Sequence, residues 1–321
     1  MTQGRARHHA EHVFAVATDS SAAARSAIAA SWVRSLNDYG LDPERPRRPE
    51  RVEQARLDEA RDRFALMLQA AEPALDRLFE AVDGTGSCIL LTDHEGVPLE
   101  RRGASCDDDG FQRAGLWTGM VWHEAREGTN GIGTALAESR ALTIHRDQHF
   151  FTQNTGLTCT AAPVYDHEGR LAGVLDVSSY RRDLDGAMVS LIANAVGETA
   201  RRIEATHFRR MFNAARILLG PEADRDAGAL LAVDRDDMVV GATRAARRLY
   251  GISADRLAAG LPAGAILDDT ETENLLSAER GVVQRALARA GGNVSSAARS
   301  LGLSRATLHR KMNRLGLRET G

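Results

Sequence analysis

At 321 residues the chain has room for two or three domains, and its formal net charge at pH 7 is only -3. Hydrophobic residues make up 43% of the sequence, but no apolar run is long enough to cross a bilayer and the polar start has no signal-peptide stretch. The three cysteines, Cys88, Cys106 and Cys159, are scattered and odd in number, which argues against a disulfide scaffold. These features exclude membrane-embedded and disulfide-rich secreted proteins, and they predict a cytoplasmic protein.

Residues 1–50 are predicted to form an N-terminal helical segment that is followed by a linker. The alanine-rich stretch 22–36 favours a helix, and the Gly40 to Pro43 region stops it. Residues 43–49 contain three prolines and three arginines, a composition typical of a linker.

The middle of the chain changes from helical to strand patterns. Apolar residues recur at helical spacing over 52–82, and residues 88–92 then form an apolar strand that ends in Asp-His-Glu-Gly. The same four residues separate the apolar runs 161–165 and 171–177. Two apolar runs around an Asp-x-x-Gly loop predict hairpins of an antiparallel sheet, with one turn used twice. Residues 184–219 predict a long helix or a broken pair of helices.

A glycine-rich segment lies between the two hairpins. Gly128, Gly131 and Gly133 alternate with threonine, asparagine and isoleucine, which predicts a tight loop that enters a helix or a strand. A phosphate-binding loop is the alternative interpretation. The run lacks the Gly-x-Gly-x-x-Gly spacing and has no preceding apolar strand, so it carries little support for nucleotide binding.

This central sequence resembles the GAF sensor domain of AcoR-type regulators, the regulators of acetoin catabolism. The resemblance rests on Trp122, on Gly-Thr-Asn-Gly-Ile-Gly-Thr at 128–134, on Thr-Cys-Thr-Ala-Ala-Pro at 158–163 and on Gly-Val-Leu-Asp-Val at 173–177. It implies a small-molecule pocket against one face of an antiparallel sheet. Residues 229–267 in turn resemble the PAS-like segment that follows the GAF domain in this family.

The implied pocket makes Trp122, Asn130, Phe151 and Cys159 the candidate ligand-binding residues for an unknown small-molecule effector. Core packing explains the two aromatic side chains equally well. A buried structural thiol is a simpler explanation of Cys159 than a redox sensor.

The C-terminal end of the chain predicts a helix-turn-helix. Apolar residues at i, i+3, i+4 and i+7 over 294–301 form one stripe, and Gly302 ends that helix because glycine accepts the left-handed conformation of a tight C-terminal turn. Ser304 is a suitable N-cap for a second helix with its own apolar stripe over 308–315. A third helix over 283–290 can cover the pair.

Charge is strongly partitioned toward this end. Residues 277–318 contain nine arginines or lysines and one acid, Glu279, so this segment carries +8 and the remainder of the chain carries -11. A concentrated basic segment on an acidic body is typical of a protein that binds the phosphate backbone of nucleic acid. A solvated basic helical appendage is the alternative.

Residues 279–317 resemble the DNA-binding domain of the nucleoid protein Fis, which also ends the enhancer-dependent bacterial activators. The match follows Gly-Asn-x-x-x-Ala-Ala-x-x-Leu-Gly-Leu-Ser-Arg-x-Thr-Leu-x-x-Lys over 292–311, whereas Ser296 stands where the family often has arginine. Two sets of contacts to double-stranded DNA are implied. Asn293, Ser295 and Lys311 would contact phosphates. Ser304, Arg305, Thr307 and Arg310 would enter the major groove, where an arginine fork can bond guanine.

AcoR-type proteins normally carry an AAA+ ATPase between the sensor and the helix-turn-helix. In this chain only an acidic linker at 268–277 separates them. A Walker A loop needs Gly-Lys followed by serine or threonine, and the one lysine, Lys311, stands between Arg310 and Met312. The sequence therefore predicts no ATPase, and it predicts action through DNA, a partner or both.

No enzymatic or metal chemistry is predicted. His145 and His149 are four residues apart, a spacing that can hold a metal on a helix, but no third ligand is identifiable. A thiol-based reductase working through one of the three cysteines is the enzymatic alternative, and no nucleophile–base pair is visible in the sequence. We expect no catalytic residue, no metal and no cofactor.

Together these features predict an α+β multidomain protein. The expected domains are an N-terminal helical segment (1–50), a GAF-type sheet flanked by helices (51–220), a small PAS-like segment (221–267), an acidic linker (268–277) and an all-helical Fis-type domain (278–321). The expected function is a ligand-responsive bacterial transcription regulator that binds DNA as a homodimer. The alternative is a non-enzymatic module that modulates full-length enhancer-dependent activators through mixed dimers.

Overall fold

The computed structural model describes residues 3–18, 21–45, 50–82, 86–181, 183–220, 228–267 and 275–317. Contacts divide the chain into two compact units, Met1–Leu267 and Asp268–Gly321. The first contains N-terminal helices, a five-stranded sheet and a three-stranded sheet, and the described part of the second is helical. The predicted α+β class with a helical C-terminal domain is confirmed. Within the described ranges, no helix is long and apolar enough to cross a membrane.

The N-terminal helices are α1 (Gln3–Thr18), α2 (Ala22–Arg25) and α3 (Ala27–Val33), and a π-helical turn, Arg34–Asp38, follows them. The helix predicted over 22–36 is interrupted at Ser26, whose backbone is extended and whose side chain accepts a hydrogen bond from the backbone of Ala29. The linker predicted at 43–49 lies partly outside the described residues, because 46–49 are not described.

The five-stranded sheet is antiparallel throughout, in the order β2-β1-β5-β4-β3. Its strands are β1 (Ser87–Thr92), β2 (Pro98–Gly103), β3 (Leu142–His145), β4 (Thr158–Tyr165) and β5 (Leu171–Ser179). Both predicted hairpins are present, since β1 pairs with β2 and β4 pairs with β5.

The two hairpins use the same turn chemistry, as predicted. Asp93 Oδ1 accepts hydrogen bonds from the backbone of Glu95 (2.9 Å) and Val97 (3.0 Å). In the second hairpin, Oδ1 of Asp166 accepts from the backbone two and four residues further along, at 2.9 Å in each case. Gly96 and Gly169 both have positive φ, 77° and 78°, a conformation that favours glycine. The aspartate and the glycine together explain why the tetrapeptide recurs.

Successive residues of the central strands face opposite sides of the sheet, so each side has its own core. On one side Ile89 and Leu91 pack against α5 (Ala65–Val82) and α9 (Gly186–Met211). On the other side Cys88 and Leu90 pack under short helices and loops. Of the short helices, α6 (Asp108–Arg113) and α8 (Gly131–Glu138) supply residues to this second core. Helix α4 (Gln54–Arg63) packs in a smaller cluster with Val97 and Leu99, and α7 (Glu124–Glu127) precedes α8.

The long helix predicted over 184–219 is wrong in its last part. Helix α9 ends at Met211, and β6 (Arg216–Leu219) pairs with β7 (Leu230–Val233), which pairs with β8 (Val239–Ala242). The apolar run of β6 is compatible with either structure, and pairing with β7 decides in favour of a strand. Short helices follow this sheet: α10 (Arg244–Leu249), α11 (Ala254–Ala258) and α12 (Gly264–Leu267).

The second unit contains α13 (Leu275–Arg289), α14 (Val294–Ser300) and α15 (Arg305–Arg314). Of the acidic linker predicted at 268–277, residues 268–274 lie outside the described part of the chain, and the last three residues already belong to α13.

Candidate functional site

Local sequence signals build the turn between α14 and α15. Gly302 has a φ of 64°, and its N–H reaches the Arg299 carbonyl while the N–H of Leu303 reaches the Ala298 carbonyl at 2.9 Å. This pattern is a Schellman motif, which satisfies the last carbonyls of α14. The Ser304 hydroxyl then accepts from the backbone of Thr307 at 3.1 Å and caps α15. The predicted helix-turn-helix is present with its predicted cap and stop.

A small apolar core fixes the three helices of this unit. Both predicted stripes face inward, and α13 covers them. The buried residues are Val283, Ala286, Val294, Ala297, Ala298, Leu308, Met312 and Leu315. Because the core uses one side of α15, the polar and basic residues of that helix remain on the outside.

The seven residues predicted to contact DNA all lie on this unit. Arg305 and Arg310 are exposed on α15, and Ser295 and Thr307 are half-buried. Two of the seven residues, Asn293 and Ser304, are helix N-caps and therefore already have a structural role. Asn293 caps α14 by accepting a hydrogen bond from the backbone of Ser296 at 3.0 Å, and Ser304 caps α15. All seven assignments to DNA remain predictions.

Replacing Asn293 by alanine is expected to destabilise α14 by about 1 kcal/mol, because the replacement removes the cap from the first turn. Asn293→Ser keeps a capping oxygen and is expected to be nearly neutral. Hydrogen exchange of the α14 amides in the full chain measures both effects. Equal exchange in the two variants would contradict the capping role.

Lys311 and Arg314 carry an ion pair that the sequence pattern did not indicate. Both side chains contact the carboxylate of Glu279 on α13, Lys311 through Oε1 and Arg314 through Oε2. The ammonium of Lys311 and the charge of Arg314 hold the pKa of Glu279 below its ordinary value. The lone acid of this basic segment is therefore ionised and bound to two of its cations.

In the first unit, the four predicted ligand-binding residues are all buried. Trp122 donates from Nε1 to the Gly115 carbonyl at 2.7 Å, and Asn130 caps α8 by accepting from Gly133 at 2.8 Å. Trp122 and Cys159 belong to one core cluster and Phe151 to another, which it shares with Trp32 of α3. The structure thus brings three of the four close to α8 or its core and separates Phe151 from them. Their role in ligand binding remains a prediction.

Cys159 lies in a buried chain of polar groups. Its Sγ is 3.3 Å from His149 Nε2 and 3.0 Å from Ser178 Oγ, and Ser178 Oγ is 2.6 Å from Asp176 Oδ2. Burial raises the pKa of Asp176 to about 7 and lowers that of His149 to about 4. A hydroxyl has one proton, so Ser178 can donate to only one of these two neighbours at a time and accepts a hydrogen bond from the other.

Cys159 and His149 form a nucleophile–base pair that the sequence did not reveal. The pair does not activate the thiol. Burial raises the pKa of Cys159 well above its ordinary value and that of Cys88 to about 12, so both are neutral thiols. His149 follows a short 3-10 turn and shares no helix with His145. In the described residues, no group of three or more histidine, cysteine or acidic side chains is placed to hold a metal.

A second buried polar group joins α3 to the sheet domain. Glu124 is fully buried and accepts from Arg34 Nε at 2.7 Å, from Arg34 Nη2 at 3.1 Å and from the Ser31 hydroxyl at 2.8 Å. Arg34 also reaches Glu138 at 2.9 Å. Pairing with Glu124 raises the pKa of Arg34 above its already high ordinary value. Nothing in the local pattern around Glu124 indicates its partners, because they lie about ninety residues away in sequence.

An open cleft of about 300 Å³ lies elsewhere on the first unit, between α4, the β1–β2 turn and α7. None of the four predicted ligand residues lines it. Its lining residues are Glu50, Arg56, His94, Glu95, Val97, Val121, His123, Ala125 and Arg126.

Two protein families match the chain. Residues 2–201 match the family described as "MimR, N-terminal domain", and residues 276–315 match "Bacterial regulatory protein, Fis family". The first match covers more than half of the chain and includes the N-terminal helices as well as the five-stranded sheet. The second coincides with α13, α14 and α15.

Curated relatives are similar over the same region. The acetoin catabolism regulatory protein of Cupriavidus necator is 36% identical over 221 residues, which are 68% of this chain and 33% of the relative. The acetoin dehydrogenase operon transcriptional activator AcoR of Bacillus subtilis is 32% identical over 56% of this chain and 29% of its own length. The chain therefore spans about a third of the length of these relatives.

Among solved structures, the crystal structure of the E. coli DhaR(N)-DhaL complex is similar in fold, with a TM-score of 0.52 at 19% identity. The similarity covers 71% of this chain and 77% of that chain. The predicted AcoR-type resemblance is confirmed by the two acetoin-regulator relatives and by the two family matches. The chain belongs to the family of transcriptional regulators that share the MimR N-terminal domain, and it carries a Fis-family DNA-binding helix-turn-helix.

Proposed function

We propose that this protein is a ligand-responsive, cytoplasmic regulator of bacterial transcription that binds specific double-stranded DNA through α14 and α15. The observation that carries the proposal is the basic helix-turn-helix itself. In the described range 275–317 eight arginines or lysines stand against Glu279 alone, and Arg305 and Arg310 are exposed on the second helix. Arginines on an exposed recognition helix suit both phosphate contacts and guanine readout.

The protein acts as a homodimer. One recognition helix covers too few base pairs for operator specificity, and two-fold proteins match half-sites about one helical turn apart. A ligand in the first unit would change the spacing of the two helix-turn-helix units and so change DNA affinity. Sedimentation of the full chain with and without a palindromic duplex measures the stoichiometry. One protomer on each duplex at saturation would contradict the proposed homodimer.

Regulation proceeds without ATP hydrolysis or other catalysis. Only residues 202–275 separate the two matched families, and Lys311 is the one lysine of the sequence. A Walker A loop requires a lysine that reaches the nucleotide phosphates. Acetoin is the first effector to test, because relatives in Cupriavidus necator and Bacillus subtilis are named for acetoin catabolism or its operon. Calorimetry with acetoin and the full chain, followed by DNA binding in its presence, tests the sensing step.

Arg305→Ala is expected to lower affinity for the selected site by about 1–3 kcal/mol and to relax base preference at one position, because it removes a candidate guanine contact. The measurement is binding of the full chain to duplexes selected from a random library. Arg289→Ala, which removes an exposed cation from α13, is the matched control and should leave base preference unchanged. If wild-type protein showed no salt-dependent DNA binding, the proposed function would be wrong.

A second candidate function is a module that tunes full-length activators through mixed dimers. The observation that favours it is the 36% identity over 221 residues with the relative from Cupriavidus necator, since similar sensor regions can associate with each other. Co-purification with a full-length activator of this family, together with no DNA binding by the protein alone, would support this candidate against the first.

A further inference from the structure

Glu279 is the single acid in the described part of the helix-turn-helix unit, residues 275–317. An isolated acid in a basic domain works against the attraction to DNA phosphates, so its position is informative. It lies in the second turn of α13, and its side chain is 23% exposed.

The contacts of Glu279 are with the recognition helix. Its two carboxylate oxygens bind different cations, Lys311 and Arg314, which are three residues apart on α15. Residues three apart on a helix lie on one face, so a single carboxylate can bridge them. The arrangement joins the first helix of the unit to the last turns of the recognition helix.

This bridge changes the charge that the recognition helix offers to DNA. Lys311 and Arg314 together carry +2, and the ionised carboxylate reduces the group to +1. The low pKa of Glu279 keeps this carboxylate charged at neutral pH. A phosphate that approaches either cation must compete with a carboxylate already in contact with it.

We propose that Glu279 restrains DNA binding by competing with the phosphate backbone for Lys311 and Arg314, which exchange the carboxylate for phosphates in the complex. This inference rests on the proposed DNA-binding function. The restraint acts on residues that contact phosphates, so it lowers affinity for every duplex and leaves base preference unchanged.

The test is Glu279→Gln in the full chain, with binding measured by fluorescence anisotropy from low to moderate salt. Two duplexes are used, one selected by the wild-type protein from a random library and one with the same composition in scrambled order. We expect binding to both duplexes to become about 3- to 10-fold tighter at low salt. The slope of log affinity against log salt should stay the same, because each phosphate contact contributes about 0.9 and both complexes contain the same phosphate contacts.

Glu198→Gln is the matched control. It removes one negative charge from the exposed face of α9 in the other unit, and with it the ion pair to Arg201. Its DNA affinity should equal that of the wild type, which separates a local restraint from a general change in net charge.

The second arm introduces Glu279→Gln into a protein that already carries Lys311→Met and Arg314→Met. We expect no further gain in DNA affinity in this background, because the two cations for which Glu279 competes are absent. A gain of the same size there would overturn the exchange and assign the effect to long-range charge. Weaker or unchanged binding by folded Glu279→Gln protein would overturn it as well, and would make Glu279 a residue that positions the cations.

Folding and function are separated by two further measurements. Hydrogen exchange of the α13 and α15 amides establishes that the variant unit is folded, and Glu279→Asp, which keeps the charge on a shorter side chain, should give intermediate affinity. Failure of the wild-type protein to bind either duplex would defeat the proposed function and this inference with it. Binding by the wild type with no gain in the variant defeats this inference alone.

Discussion

Asp176→Asn is expected to raise the free energy of unfolding of the first unit by about 4 kcal/mol at pH 8, and by only about 1–2 kcal/mol at pH 5. Asp176 is buried in β5, and its Oδ1 has no hydrogen-bond partner in the described structure. Burial raises its pKa from the ordinary 3.8 to about 7. Asparagine has the same shape and never ionises.

The sign follows from proton linkage. The folded state keeps the proton up to about pH 7, whereas the unfolded chain loses it near pH 4, so unfolding releases a proton between these values. The wild-type protein therefore loses stability as pH rises through this window, at up to about 1.4 kcal/mol per pH unit. The variant does not have this loss, so the difference between its free energy of unfolding and that of the wild type grows with pH.

Denaturant unfolding at pH 5, 6, 7 and 8 gives the free energy of unfolding of the wild type and of the variant. The titration of all other groups cancels when one value is subtracted from the other. Ser178→Ala is a useful companion, because it removes the group bonded to Asp176 Oδ2 and leaves the ionisable acid in place. A gain that is equal at all four pH values would show that Asp176 is ionised throughout and would contradict the raised pKa of this buried carboxyl.

Arg34→Met is expected to lower the free energy of unfolding of the same unit by about 3–5 kcal/mol, because it leaves the carboxylate of Glu124 buried without its cation. Glu124 is fully buried, and Arg34 supplies two of its hydrogen bonds. Methionine keeps most of the aliphatic volume, so the loss reports the missing charge and hydrogen bonds more than a cavity.

Two controls bracket this prediction. Arg201→Met removes an arginine from an exposed pair with Glu198 on α9 and should change stability by less than about 1 kcal/mol. Adding Glu124→Gln to Arg34→Met should recover much of the loss, since it removes the unpaired charge. Equal losses in the Arg34 and Arg201 variants would mean that the buried pair contributes no more than an exposed one.

The Arg34–Glu124 pair also explains why the N-terminal helices belong with the sheet. Ser31 and Arg34 come from α3 and the following turn, and they reach α7 across about ninety residues of sequence. The matched MimR N-terminal domain likewise extends from residue 2 to residue 201. Removing the N-terminal segment would expose a buried carboxylate, so the first unit is expected to require this segment.

Local patterns made much of the fold predictable. The Asp-x-x-Gly turns, the apolar strands around them and the caps and stops of the helix-turn-helix depend on residues close in sequence, and each is present in the structure. The helix predicted over 216–219 was wrong because β6 depends on a contact with a distant part of the sequence. Its short apolar run fits a helix or a strand, and only pairing with β7 decides between them.

Periodicity, helix caps and charge counts are properties of neighbouring residues. The class of protein, the helix-turn-helix and the basic charge of its C-terminal end could therefore be predicted without a structure. Which side chains meet depends on how the elements pack. The tertiary structure paired Glu279 with Lys311 and Arg314, buried Asp176 beside Ser178, and gave Glu124 its partners in α3 and the following turn. Such contacts join residues far apart in the chain, and the burial that shifts their pKa values exists only after the elements have packed.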